Sequence, residues 1–239
     1  MSISVFAKQE HSHEDANNTA ININSVRSIL GKDNSIAHVK AQIRVGYITF
    51  AEEGNSRTNV YAGGGYYHFD TKRWNGISIG LSAYTVLNLG IEQNPLYTNS
   101  YFLDPEEDGF VQLTEVYLDG KWGNTALKLG RQILDTPHAD SDDISIIPNY
   151  FEAYTLTNTD VKDLRLSIGH IRKMAGWENG VDASSFVNIG KTFGVDNIEG
   201  VYYASAAYDG LKDLSLSFWY YYYTDIARVF YSEIGYELV

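Results

Sequence analysis

Three basic residues each stand between aliphatic neighbours: Arg44 between Ile43 and Val45, Lys128 between Leu127 and Leu129, and Arg165 between Leu164 and Leu166. In an extended strand successive side chains alternate, so each charge points away from the face its neighbours occupy. Glu115 follows the same rule beside Val116, as do Glu233 and Glu237 around Ile234 and Tyr236. Asp140, Asp142 and Asp143 fall between Pro137 and Pro148, in a segment without strand patterning. Cations on a wall, with carboxylates on a segment that folds back against it, create a transverse field. In a hydrated passage such a field sets ion preference and orients dipolar or anionic solutes. The bland reading is that the same charges pair along the wall and do nothing more.

The chemistry of an enzyme is not visible. Gly63-Gly64-Gly65 lacks the lysine of a phosphate-binding loop, and His68 and His138 have no serine partner at a recognisable spacing. Glu106-Glu107-Asp108 and the Asp140–Asp143 group read as solvated loop acids. No cofactor is expected. His11 and His13 beside Glu14 and Asp15 could catch a metal ion, but an isolated cluster in a polar tail reads as incidental. The chain has no cysteine, so neither a disulfide scaffold nor a thiolate site is available. A net charge of −12 argues against nucleic acid, which demands clustered Lys and Arg. The three glycines reduce the bulk of one strand, so that a loop or plug can approach it.

The elements that must position these residues follow from period-2 alternation. Ten segments show it: 39–50, 59–70, 77–87, 110–119, 125–134, 149–157, 163–172, 199–208, 213–224 and 229–238. The connections 71–76, 120–124, 158–162 and 209–212 are short and rich in Gly, Asn, Asp and Lys. They alternate with longer ones at 51–58, 88–109, 135–148 and 173–198; only 225–228 breaks the pattern by being short. Strands of ~9–11 residues, with tight turns at one end and long loops at the other, describe a transmembrane β-barrel. The fold class is therefore all-β, an antiparallel up-and-down barrel.

Composition agrees. A barrel strand shows only half its residues to lipid, so a mean hydropathy of −0.25 suits it. Tyr, at 19, outnumbers Phe, Trp and Met together, as rings at a membrane interface or along a wet lumen would require. The longest uncharged stretch, Trp74 to Ile91, is interrupted by Asn75, Gly76, Gly80, Asn88 and Gly90 and alternates, so it is a strand rather than a spanning helix. A lipid-facing Arg or Lys at the midplane costs ~2–4 kcal/mol, and the charges sort accordingly. A soluble sandwich would show the same parity with its faces reversed; the loop asymmetry favours the barrel. The alternative function is then a soluble or surface carbohydrate-binding module.

Two places break the sorting. Arg131 is in register with Leu127 and Leu129, and a bulge at Gly130 would turn it inward. His170 and Arg172 share the apolar parity of their strand, near its end, where long side chains reach the membrane interface. At the N-terminus, residues 1–7 read as the remnant of a signal peptide. Residues 8–38 read as a polar segment, and 39–239 as the barrel domain.

Leu127-Lys128-Leu129-Gly130-Arg131-Gln132, followed by a Pro-containing loop and Ile147-Pro148-Asn149-Tyr150-Phe151-Glu152-Ala153, resembles the OprD-type family of outer-membrane porins. Ile168-Gly169-His170 and Met174-Ala175-Gly176-Trp177 are similar to members of the Campylobacter–Helicobacter branch. The resemblance implies an eighteen-stranded barrel in a Gram-negative outer membrane, with a basic ladder on its lumen wall. It also implies passive diffusion of small solutes, carboxylate-bearing or amino-acid-like, and no enzymatic activity. By resemblance Arg131 joins Arg44, Lys128 and Arg165 in that ladder, with Glu115, Asp142 and Asp143 also lining the pore. Outer-membrane lipid and lipopolysaccharide are the expected partners, with homotrimeric assembly when full length. Ten strands of eighteen, and an end at Glu237-Leu238-Val239 without a terminal aromatic, lead to the expectation of an N-terminal fragment with an incomplete barrel.

Overall fold

The computed structural model describes residues 37–51, 57–91 and 99–237. The leader remnant, the polar segment with His11 and His13, Pro95 and the final Leu238 and Val239 lie outside the described residues, apart from Ala37 and His38. Ten long strands form one antiparallel sheet in chain order. They are β1 (Ala37–Phe50), β2 (Thr58–Thr71), β3 (Ile77–Asn88), β4 (Phe110–Trp122), β5 (Thr125–Gln132), β8 (Tyr150–Asn158), β9 (Leu164–Ala175), β11 (Val201–Leu211), β12 (Leu214–Tyr223) and β13 (Ala227–Tyr236). Three two-residue strands lie in the long connections: β6 (Asp135–Thr136) pairs with β7 (Ala139–Asp140), and β10 (Val187–Asn188) pairs with β9. Among the described residues β1 and β13 each pair on one side only, so the sheet is open.

Turn chemistry explains the short end. The connection between β2 and β3 places Asn75 and Gly76 at positive φ, and Gly123 does so between β4 and β5. Asp163 and Asp213 take the same left-handed conformation in the two remaining tight turns. Gly, Asn and Asp adopt it at little cost. The other connections are long, except the three residues between β12 and β13.

The faces carry the chemistry that alternation predicts, and with the polarity of a membrane protein. Along β3, Ile77, Ile79 and Leu81 are exposed while Ser78, Ser82 and Tyr84 are buried. Val45 and Val111 are each 76% exposed, whereas Thr114 and Gln132 are at most 1% exposed. A water-soluble sandwich buries its aliphatic face; here that face is outermost. The inner face holds two clusters. One joins Val60, Val86, Tyr84 and Tyr150 to Ile146 and Ile147, and the other joins Phe151, Ile171, Tyr203 and Tyr221 to Leu134.

Among the described strands the register shifts three times, once at Tyr208–Leu211 beside a tight turn and twice within the body of the sheet. Between Ser82 and Ala83 the partner on β4 jumps from Glu115 to Leu113, which leaves Thr114 unpaired. Gln112 and Glu115, three positions apart, therefore both face inward and are both buried. On β9 the partner jumps from Lys173 to Ile171, which leaves Arg172 as the extra residue. The expected bulge at Gly130 is absent: its register runs unbroken on both sides. Gly130 instead has φ +122, and a Cβ there would lie 2.2 Å from the Val116 carbonyl oxygen, so only glycine fits this twist.

Candidate functional site

The connection from β5 to β8 does not stand away from the sheet; it folds across the inner face. Its β6–β7 hairpin presents His138 to the β12 wall. The imidazole stacks on Tyr221 with centroids 4.7 Å apart, and Nδ1 lies 3.0 Å from the Tyr223 hydroxyl. Its other end reaches β1 to β3. The Ile146 side chain fills the space left by two glycines: a Cβ on Gly46 would come within 2.8 Å of it, and one on Gly64 within 2.7 Å. The middle residue of the triple glycine thus seats a loop. The Tyr84 hydroxyl donates to the Ile146 carbonyl, and the Trp177 indole donates to the Asp142 carbonyl at 3.0 Å. A segment fastened at both ends narrows the space it spans.

The charged residues meet along this segment. Arg44 holds Asp143 through both terminal nitrogens, with Nη2 donating to Oδ2 at 2.7 Å. Its Nη1 also donates to the Ser145 carbonyl at 3.0 Å, and its Nε to Gln42 Oε1 at 2.8 Å. Such a fork fixes the loop's height as well as its charge. Asp142 has φ +32, and its backbone N–H bonds to the Asp140 carboxylate at 3.1 Å. Lys128 places Nζ 3.8 Å from the centroid of the Tyr117 ring. Arg131 lies over the Phe186 ring at 4.3 Å and donates to the Leu113 carbonyl at 3.0 Å. Phe186 packs on the cluster of Tyr84 and Ile146, so the Arg131 guanidinium reaches the edge of that cluster although its register partners Val116 and Glu152 keep it at outer parity. Arg165 is exposed on the inner-parity side of β9, away from the loop, and forms no ion pair among the described residues.

One constellation went unread in the sequence. His68 sits between Glu115, 3.0 Å from Nδ1, and Asp70, 2.7 Å from Nε2. Tyr117 donates to the other Asp70 oxygen at 2.7 Å, and so joins the network to Lys128. Shared parity of His68 with Asp70 and of Glu115 with Tyr117 was the available signal. Their meeting depends on β2, β3 and β4 lying side by side. On the loops, burial raises the pKa of Asp140, and the charge of Asp142 adds to it. Burial likewise raises Glu178, against the hydrogen bond from Asn149 and with help from Asp142 and Asp140.

A family model described as outer membrane porin, OprD family, matches residues 77–238. The chain belongs to the OprD family of outer-membrane porins. This is a family of channels rather than enzymes, seated in the outer membrane of Gram-negative bacteria, and the exposed aliphatic face of this OprD-family chain is the face that meets acyl chains. Solved structures with a similar fold include OccK9 (OpdG) of Pseudomonas aeruginosa, with TM-score 0.73 and 21% identity over 85% of this chain and 54% of that one. A BenF-like porin from Pseudomonas fluorescens Pf-5 gives TM-score 0.70 and 16% identity over 84% of this chain and 53% of that one. OccK8 (OprE) of P. aeruginosa gives 0.63 and 19% over 83% and 49%. The chain thus spans about half the length of these solved structures. No curated protein matches the sequence.

Proposed function

We propose that this chain supplies wall and constriction to a passive channel for small solutes, carboxylate-bearing or amino-acid-like, across the outer membrane. The observation that carries the reading is the Arg44–Asp143 fork, which ties an inward-folded loop to β1 while His138 anchors the same loop on β12. Arg44, Lys128, Arg131 and Arg165 bias the passage toward anionic groups, and Glu115, Asp142 and Asp143 oppose them. A solute carrying both a carboxylate and an ammonium would align in such a field. No step of this requires a cofactor or a bond broken by the protein.

The soluble carbohydrate-binding alternative loses its footing with Ile43, Val45 and Val111 on the outside of the sheet. Homotrimeric assembly belongs to the same reading, and cross-linking of the full-length protein in detergent tests it. The decisive experiment is planar-bilayer recording with the full-length protein. Discrete conductance steps, with a reversal potential that responds to the loop charges, are expected; a protein that folds and inserts without conducting overturns the proposal.

A further inference from the structure

On the outer face, five side chains fall in one row across five strands. Tyr154 is the register partner of His170, His170 of Tyr202, Tyr202 of Tyr222, and Tyr222 of Arg228. The His170 and Tyr202 rings stack at 4.2 Å with planes 1° apart, Tyr222 continues the row at 6.4 Å, and the Arg228 guanidinium lies 5.5 Å from the Tyr222 ring. His170 Nε2 donates to the Glu199 carbonyl at 3.2 Å, and Gly200 clears the space: a Cβ there would lie 2.5 Å from Nε2. The row crosses the strands near their long-loop ends. Tyr236 marks the opposite rim at the register of Leu214. Eight residues separate Leu214 from Tyr222, roughly 26 Å along a strand and about 20 Å once tilt is allowed for, close to the height of a barrel's apolar band. The row is therefore an interfacial aromatic belt on the extracellular side.

Directly beyond it the bulge on β9 acts. Without the extra residue, Arg172 and Lys173 would point to opposite faces. With it, both reach one carboxylate: Arg172 lies 3.6 Å from Glu152 Oε1 and Lys173 lies 3.7 Å from Oε2. Arg172 also reaches the hydroxyl of Tyr154, a residue of the belt. The side chains of both cations stay well exposed, at 48% and 39%, while Glu152 is covered at 18%. Two cations share one negative charge, with Arg228 further along the belt, in a chain of net charge −12. The surplus is local and positive, and it stands where lipid headgroups begin.

We propose that Arg172 and Lys173, above the Tyr154–His170–Tyr202 stack, form a binding site for the phosphate of a phosphorylated glycolipid in the outer leaflet. The site rests on the outer-membrane placement of this face and is separate from the pore. Arg presents a fork that suits phosphate, Lys adds a mobile point charge, and the rings hold the headgroup edge at the interface.

The test uses the full-length protein in detergent, incubated with bis-phosphorylated lipid A, its dephosphorylated form, or inorganic phosphate, with bound lipid read by native mass spectrometry. Retention of lipid A, weakened roughly tenfold by removing the phosphates or by Arg172→Gln with Lys173→Gln, is expected for charge-assisted contacts. Heat-modified gel mobility establishes that the variant is folded; should the double variant fail to fold, Arg172→Gln alone is read in the same way. Equal retention by the folded variant, equal binding of the dephosphorylated lipid, or displacement of lipid A by inorganic phosphate overturns the proposal. Single-channel conductance on the same samples separates the two readings: its absence strikes the channel proposal, and unchanged conductance with unchanged lipid binding strikes this one.

Discussion

Arg44 and Asp143 are 99 positions apart in sequence and form a two-pronged ion pair on the inner face, with the Arg44 side chain 17% and the Asp143 side chain 47% exposed. The pair converts a loop that could have hung outside the barrel into part of its cross-section. It also leaves much of the carboxylate exposed on the inner side of the sheet.

Asp143→Asn removes one negative charge from the passage at nearly unchanged side-chain size, leaving one of the two prongs to Arg44. A unit charge about 10 Å from a permeating ion in water is worth ~0.4 kcal/mol, or roughly a twofold change in ion preference. The reversal potential under a salt gradient is expected to move toward anions by that factor. A shift toward cations would remove Asp143 from the lumen.

Arg131→Ala is expected to move the reversal potential the other way, by a similar factor. Arg131→Lys keeps the charge but not the planar group that lies over Phe186, so it retains preference while loosening the loop that carries Phe186. Limited proteolysis of the 176–186 segment reads the loosening. An unaltered reversal potential in the alanine variant would place the guanidinium outside the conducting path.

Gly46 and Gly64 both make room for Ile146, but their surroundings differ. A Cβ at Gly46 meets side-chain atoms of Ile146 and Phe102, whereas one at Gly64 also meets the Thr85 carbonyl oxygen at 2.9 Å. Side chains can yield and backbone cannot, so Gly64→Ala is expected to be the costlier change, by about 1–3 kcal/mol as for overpacked cores. Urea-induced unfolding in lipid vesicles measures it. A costlier Gly46→Ala would contradict this account of the seat.

Acidification tests the loop carboxylates. Asp140 and Glu178 are raised by burial and by neighbouring acids, so they take up protons before an ordinary carboxylate as pH falls. Negative charge then leaves both loops, and anion preference should rise between neutral and mildly acidic pH, before ordinary carboxylates titrate. The sign for stability runs alike: a carboxylate whose folded pKa is raised burdens the packed loop when charged, and that burden lifts as pH falls. Reversal potentials at the two pH values, with Glu178→Gln as control, measure the effect. A flat profile in the parent protein would assign these acids no influence on the passage.

Much of the architecture was legible because alternation is a local property. Ile77 through Tyr84 declare two faces within eight residues, and Asn75-Gly76 or Gly123-Asn124 declare a tight turn within two; neither needs knowledge of the rest of the chain. The ten long strands lie within three residues of the segments that period 2 picks out. The side on which Arg44, Lys128 and Arg165 emerge follows from the same rule.

Partnerships were another matter, because they depend on register, bulges and the path of a loop. Lys173 reaches Glu152 on the outer side only because Arg172 is an extra residue, and His68 meets Glu115 only because β3 brings β2 and β4 within reach of each other. Arg131 illustrates the division. Its sequence neighbours and its register partners Val116 and Glu152 assign it to the outer face, and only the path of a loop brings the Phe186 ring to its guanidinium. The sequence by itself determined the strands and the chemistry of their faces, because side-chain alternation is built into each extended segment. Only the tertiary structure decided which charges meet, because a contact between strands is a sum over every turn, bulge and loop that lies between them.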